Sequence, residues 1–171
     1  MSRIDNIRAA ARPGDASLPR SASILIVEDQ RFDRTRLKRL IAELEFETQV
    51  AEADRLETMG KQLQLGKYDL VLMDYNLPDG NGLQALDAIR LDPQSRNAAI
   101  IMVTSEGQTE IAIEALKRGC SDYITKDDLS SASFRRAAIN ALQKSSLAIG
   151  IEAQDHKRQE IEAVLQKFST E

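Results

Sequence analysis

The chain has 171 residues, 42% of them hydrophobic and 29% charged, with a net charge of -4. That length and apolar share fit one globular domain with extensions rather than two full domains. A mildly acidic chain without a long basic run argues against nucleic-acid binding, and no run of 18 apolar residues is present to span a membrane. The single cysteine, Cys120, excludes an internal disulfide and reads as a small buried hydrophobe. Arg3, Asp5, Arg8 and Arg12 occupy an N-terminus without a long apolar stretch, so no secretory signal is expected and the protein reads as cytoplasmic.

Residues 1–22 are polar and broken by Pro13, Gly14 and Pro19, which reads as an N-terminal extension. Residues 23–144 carry alternating signals. Ile24–Val27 is a short, wholly apolar run of the kind found in a buried parallel strand. Leu37, Leu40, Ile41 and Leu44 then recur at helical spacing. A weaker strand is expected over Thr48–Ala53, and a second helix carries Leu56, Met59 and Leu63 and ends near Gly66. Leu70–Met73 is another buried strand that runs straight into Asp74. Asn76–Gly82 is a loop. A third helix carries Leu83, Leu86 and Ile89; a strand follows at Ile100–Val103, ending at Thr104. Ile111, Ala115 and Leu116 mark a fourth helix, which Gly119 stops. Tyr123-Ile124 is a last short strand before Lys126, and a fifth helix is expected from about Ser131 to Lys144. Strand and helix signals alternating in this way predict an α/β fold, a parallel sheet covered by helices on both faces.

Residues 145–171 read as a helical arm. Leu147, Ile151, Gln154, Arg158, Ile161, Leu165 and Phe168 fall at alternating spacings of four and three, a seam with polar breaks at Gln154 and Arg158. Such a seam pairs with a second chain or docks on a partner, or else folds back on its own domain or frays. His156, within it, reads as a solvated surface residue.

The chemistry-bearing residues sit at strand ends. Glu28 and Asp29 follow the first strand and Asp74 the third, while Thr104 and Lys126 follow the fourth and fifth. In a parallel sheet the carboxyl ends share one edge, where open α/β folds place ligands. Three carboxylates brought close together repel one another, and a hard divalent cation such as Mg²⁺, which prefers oxygen ligands, resolves the repulsion. A carboxylate nucleophile beside Mg²⁺, with a lysine charge and a threonine hydroxyl, suits phosphoryl transfer. Each residue alone has an ordinary explanation: a turn aspartate, a surface lysine, a β-prone threonine.

From Ile24 to about Gln143 the chain resembles the receiver domains of two-component response regulators. ILIVED carries Glu28-Asp29, VLMDYNLPDGNGL carries Asp74, IIMVTSEG carries Thr104, and DYITK carries Tyr123 and Lys126. The resemblance implies a flavodoxin-like, doubly wound five-stranded parallel sheet. It implies Asp74 as phosphoacceptor, with Mg²⁺ held by Glu28, Asp29, Asp74 and the Asn76 carbonyl. Thr104 and Tyr123 would be switch residues, and Asn76 and Glu106 would tune loss of the phosphoryl group, with a pair that resembles fast-decaying chemotaxis-type receivers. The implied phosphodonor is a histidine kinase or phosphotransfer protein, and the implied output is contact with a downstream protein target. A homodimer through the arm, or through the face of the fourth helix, fifth strand and fifth helix, is compatible with this. The expected class is a signalling phosphoacceptor rather than an enzyme.

Two other readings stand beside it. One is a small phosphohydrolase with Asp74 as nucleophile, disfavoured because Asn76 stands where a D-x-D pair needs its second carboxylate. The other is a phosphorylation-independent pseudo-receiver scaffold. The sequence also departs from the family's usual pattern: Asp127-Asp128 follows Lys126 where proline, joined through a cis peptide, is usual. A non-proline cis bond costs about 3 kcal/mol, so a trans peptide or a rearranged loop is expected, with the two aspartates capping the fifth helix.

Overall fold

The computed structural model describes residues 18–105 and 108–169. Its main sheet is parallel and five-stranded, in the order β2-β1-β3-β4-β5. These strands are β1 Ser21–Val27, β2 Glu47–Ala53, β3 Leu70–Met73, β4 Ala99–Thr104 and β5 Asp122–Thr125. The helices are α1 Arg31–Ala42, α2 Leu56–Leu65, α3 Gly82–Leu91, α4 Thr109–Lys117 and α5 Ser131–Phe168. A short antiparallel ribbon, Asn76–Leu77 with Gly80–Asn81, lies between β3 and α3. This is the doubly wound, flavodoxin-like architecture, and the strand order reverses between β1 and β3.

The central strands carry unbroken apolar runs, Ile24–Val27, Leu70–Met73 and Ala99–Val103, because both faces of the sheet are covered. Ile24 and Ile26 of β1, Leu70 and Leu72 of β3, and Ile101 and Val103 of β4 pack with Leu37, Ile41, Phe134 and Ala138 of α1 and α5. The intervening residues Leu25, Val27, Val71, Met73, Ile100 and Met102 pack on the opposite face with Met59, Leu63, Leu86, Ile89 and Ala115 of α2, α3 and α4. Cys120 is buried in this second layer, as its composition reading required.

Three features differ from the sequence reading. β1 begins at Ser21 rather than Ile24, because its parallel ladder to β2 continues past the apolar run, with Ser21 opposite Glu47 and Ala22 opposite Thr48. α4 buries Ala115 but leaves Leu116 exposed, since the helix covers only the margin of the sheet beside β5. α5 does not stop near Lys144; it is one 38-residue helix. From Ser146 to Ser169 every side chain is exposed, so burial stops where the helix was expected to stop. The helix persists because only Gly150 interrupts an otherwise helix-compatible sequence. The fold-back reading of the arm is not what is observed. Its base is tied to the α3–β4 loop, where Asn97 Nδ2 donates to Glu152 Oε2 at 3.2 Å and the Ser145 hydroxyl donates to Asn97 O. His156 is exposed and faces Glu160.

The loop after β3 is tied down as well. Asp79, at the tip of the ribbon, accepts from the backbone N–H groups of Leu56 and Glu57 at 2.8 and 3.0 Å. A carboxylate from elsewhere in the chain thus serves the open N-terminus of α2. These N–H bonds, led by that of Leu56, hold the Asp79 carboxyl below its usual range. Among the described residues no helix is long and apolar enough to cross a membrane.

Candidate functional site

The ladder of the sheet positions the acidic residues. The Glu28 N–H donates to Ala53 O at 3.0 Å, and the Asp74 N–H donates to Val27 O at 2.9 Å. Glu28 and Asp74 therefore leave neighbouring strands at the carboxyl edge, at the point where the strand order reverses and such sheets bind ligands. Among the described residues the buried polar or charged side chains are Glu28, Asp74, Ser95 and Thr104. Three of these lie at this one edge, which marks it as the place where the core departs from apolar packing.

Carboxylate oxygens of Glu28, Asp29 and Asp74 all lie within 4.8 Å of one another. Lys126 enters from the end of β5, and its Nζ is 2.9 Å from Glu28 Oε2 and 3.3 Å from Asp74 Oδ2. Burial alone would push the Lys126 ammonium down. Close contact with the Asp33 and Glu28 carboxylates, with the charges of Glu28 and Asp74, outweighs burial and raises its pKa above the ordinary lysine value. Burial pushes the Glu28 carboxyl up to about 7. The Gln30 N–H and Lys126 oppose that rise, and the Asp74 charge adds to it. One ammonium cannot neutralise three carboxylates, so the cluster stays net negative.

Glu28 Oε2 is buried and, although close to Lys126, has no aligned hydrogen bond. An acceptor left in that condition costs free energy unless something else satisfies it. An all-oxygen donor set with an unsatisfied buried carboxylate oxygen is chemically suited to a hard divalent cation.

The other sequence-derived positions fall as follows. Thr104 ends β4 at the same edge and is buried. Asn76 is exposed, and its N–H donates to Asp74 Oδ1 at 3.4 Å. Tyr123 is half-buried against the layer that holds Met73 and Met102. Burial raises its phenol pKa, a hydrogen bond with the Gln108 backbone opposes the rise, and the Asp74 charge adds to it. Glu106 lies outside the described residues, as do residues 1–17 of the N-terminal extension.

Three residues of α1 that the sequence reading did not single out also belong here. Asp33 Oδ2 is 2.7 Å from Lys126 Nζ. Arg34 Nη1 donates to the carbonyls of Glu28 and Asp29 at 2.8 and 2.9 Å, which holds the acidic turn. Arg36 donates to the carbonyls of Lys126 and Leu129 at 3.0 and 2.6 Å. The Lys126–Asp127 peptide is trans, since no cis peptide occurs among the described residues. Lys126–Asp128 forms a 3-10 turn in which Thr125 Oγ1 accepts from the Asp128 N–H at 3.3 Å and donates to Asp128 Oδ2 at 2.8 Å. The aspartates do not cap α5. Ser130 does, accepting from the Ser133 N–H at 3.1 Å, because the 3-10 turn places Ser130 at the helix start.

Comparison with known proteins agrees with this geometry. A model of the response regulator receiver domain matches residues 24–137. The chain is 36% identical over 103 residues to the chemotaxis protein CheY of Pseudomonas aeruginosa, covering 60% of this chain and 82% of that protein. It is 35% identical over 112 residues to chemotaxis protein CheY-3 of Vibrio cholerae, covering 66% and 85%. A solved response regulator receiver domain protein from Clostridium thermocellum shares the fold, with a TM-score of 0.65 at 23% identity over 74% of this chain and 98% of that one. With its carboxyl-edge cluster on this sheet order, the chain belongs to the response regulator receiver family and resembles the single-domain chemotaxis proteins within it.

Proposed function

We propose that the protein is a stand-alone cytoplasmic response regulator that accepts a phosphoryl group on Asp74. The observation that carries this reading is the buried Asp74 carboxylate, 3.3 Å from Lys126 and clustered with Glu28 and Asp29. Glu28, Asp29, Asp74 and the Asn76 carbonyl would hold Mg²⁺, which when bound neutralises charge on the oxygens of the group in transfer. An Asp74 oxygen attacks phosphorus as the bond to the donor breaks. The donor is a phosphohistidine of a histidine kinase or phosphotransfer protein, and its imidazole nitrogen keeps the electron pair. Lys126 sets a positive charge beside the transferred oxygens, and the Thr104 hydroxyl donates to another. Thr104 moves toward the phosphoryl group, Tyr123 takes the space released, and the surface of α4, β5 and α5 changes for a downstream protein.

For the arm we propose pairing with a second copy of the chain. Its seam supports this, with Leu147 68% and Phe168 79% exposed and Ile151, Ile161 and Leu165 exposed between them.

Incubation with phosphoramidate and Mg²⁺, read by intact mass, tests the central claim. One phosphoryl group is expected on the wild type and none on Asp74→Asn or in chelator. Absence of label on the wild type would favour the pseudo-receiver scaffold. Steady turnover of a generic phosphate monoester would favour the phosphohydrolase.

A further inference from the structure

Lys126 is held from both ends by one helix. Its ammonium lies closer to Asp33 Oδ2, at 2.7 Å, than to Glu28 Oε2 at 2.9 Å or Asp74 Oδ2 at 3.3 Å. Its carbonyl accepts from Arg36 Nη1 at 3.0 Å, while Arg36 Nη2 donates to Leu129 O at 2.6 Å. The fork of Arg36 thus closes on two carbonyls of the 3-10 turn and holds the backbone from which the lysine side chain rises. Asp33 and Arg36 are three residues apart on α1, so they share a face of the helix.

Asp33 differs from the other two carboxylates on Lys126. Glu28 and Asp74 belong to the cluster that converges within 4.8 Å, and Asp33 does not. A divalent cation and Lys126 therefore compete for Glu28 and Asp74 but not for Asp33. An ammonium with only the two contested partners would lose its compensation when they turned to the metal, and a poorly hydrated, unpaired charge is expensive. Lys126 is largely shielded from water, so this penalty applies to it.

Resting on the reading of this edge as an Mg²⁺ and phosphoryl site, we propose that Asp33 is a standby partner for Lys126. It is a positioning residue: it keeps the ammonium paired while Glu28 and Asp74 pass to the metal, and Arg36 keeps the Lys126 backbone within reach of both arrangements. Asp33 thereby sets how readily the site exchanges its internal cation for Mg²⁺.

Calorimetric titration of the full chain with Mg²⁺ tests this through a double-mutant cycle. Asp33→Asn is expected to weaken Mg²⁺ binding roughly 10-fold in the wild-type background and less than about 2-fold in Lys126→Met, a coupling that contacting residues show and distant ones do not. Equal weakening in both backgrounds would mean that Asp33 acts only through its field on the metal, and would overturn the proposal. Asp33→Glu provides a second arm that does not depend on the folding of Lys126→Met. The longer carboxylate should restore affinity to within about 2-fold, as a contact within reach of a flexible ammonium allows; an affinity as weak as that of Asp33→Asn contradicts the proposal. Phosphoramidate labelling of the wild type separates the two layers. Intact Mg²⁺-dependent labelling with no coupling rejects the Asp33 role alone, whereas a wild type that neither binds Mg²⁺ nor takes label removes the site reading and this proposal with it.

Discussion

At the carboxyl edge of the sheet a single ammonium faces more carboxylate charge than it can balance, and Glu28 carries the consequence. Its folded-state pKa of about 7 lies above the ordinary 4.5, through burial first and the Asp74 charge in addition. Between those values the folded protein binds the proton more tightly than the unfolded chain. Metal-free stability should therefore fall as pH rises from about 4.5 to about 7 and level off above, a loss of about 3 kcal/mol at most from this group. Denaturant melts in chelator across that window check the sign. Stabilisation by added Mg²⁺ should run the other way, growing with pH, since the metal needs the ionised carboxylate. A second residue-scale prediction concerns Asn76 and Glu106. The chemotaxis-type pair is expected to give a short-lived acyl phosphate, and a half-life of many hours after removal of the donor would contradict that. Glu28, Asp29, Asp74, Thr104 and Lys126 were all legible from strand-end positions. Asp33, Arg34 and Arg36 were not. On an amphipathic helix their polar positions read as a solvated face, and the Lys126 that gives Asp33 its role is 93 residues away.

Element by element, close backbone approach decides what the loop after Asp74 can accommodate. Gly82 opens α3, and a Cβ there would meet Met102 Cε at 2.8 Å, Asp74 O at 3.1 Å and Tyr75 Cα at 3.1 Å. A methyl can be admitted only by moving the chain that carries Asp74. Gly82→Ala is expected to destabilise the fold by about 1–3 kcal/mol and to slow phosphoramidate labelling; equilibrium unfolding and the labelling rate measure the two effects. Hydrophobic period located every strand and helix of the sheet layer, because an element covered on one or both faces must show it in its side chains. Ends were less legible. The first residues of β1 are recruited by the ladder to β2 rather than by their own apolarity, and α5 runs past its buried segment because helix formation needs no burial once the helix is nucleated.

For the molecule as a whole, the receiver layer and the arm answer to different forces. Among the described residues nothing beyond Ser145 is buried, and Glu152 still reaches the domain through Asn97. Truncation after Glu152 should thus remove the exposed Ile161, Leu165 and Phe168 of the seam without removing a buried side chain. Sedimentation of full-length and truncated protein is expected to show a dimer for the first and a monomer for the second; a full-length monomer would reject the pairing. The sequence by itself determined the alternation of strands and helices, hence the parallel sheet and the single edge onto which scattered residues converge, because side-chain period and chain direction are local properties. Only the tertiary structure decided which neighbours each charge has. Asp33 and Arg36 meet Lys126, and Asp79 serves the N-terminus of α2, because those partners are distant in sequence and brought together only by the packing of the elements on the sheet.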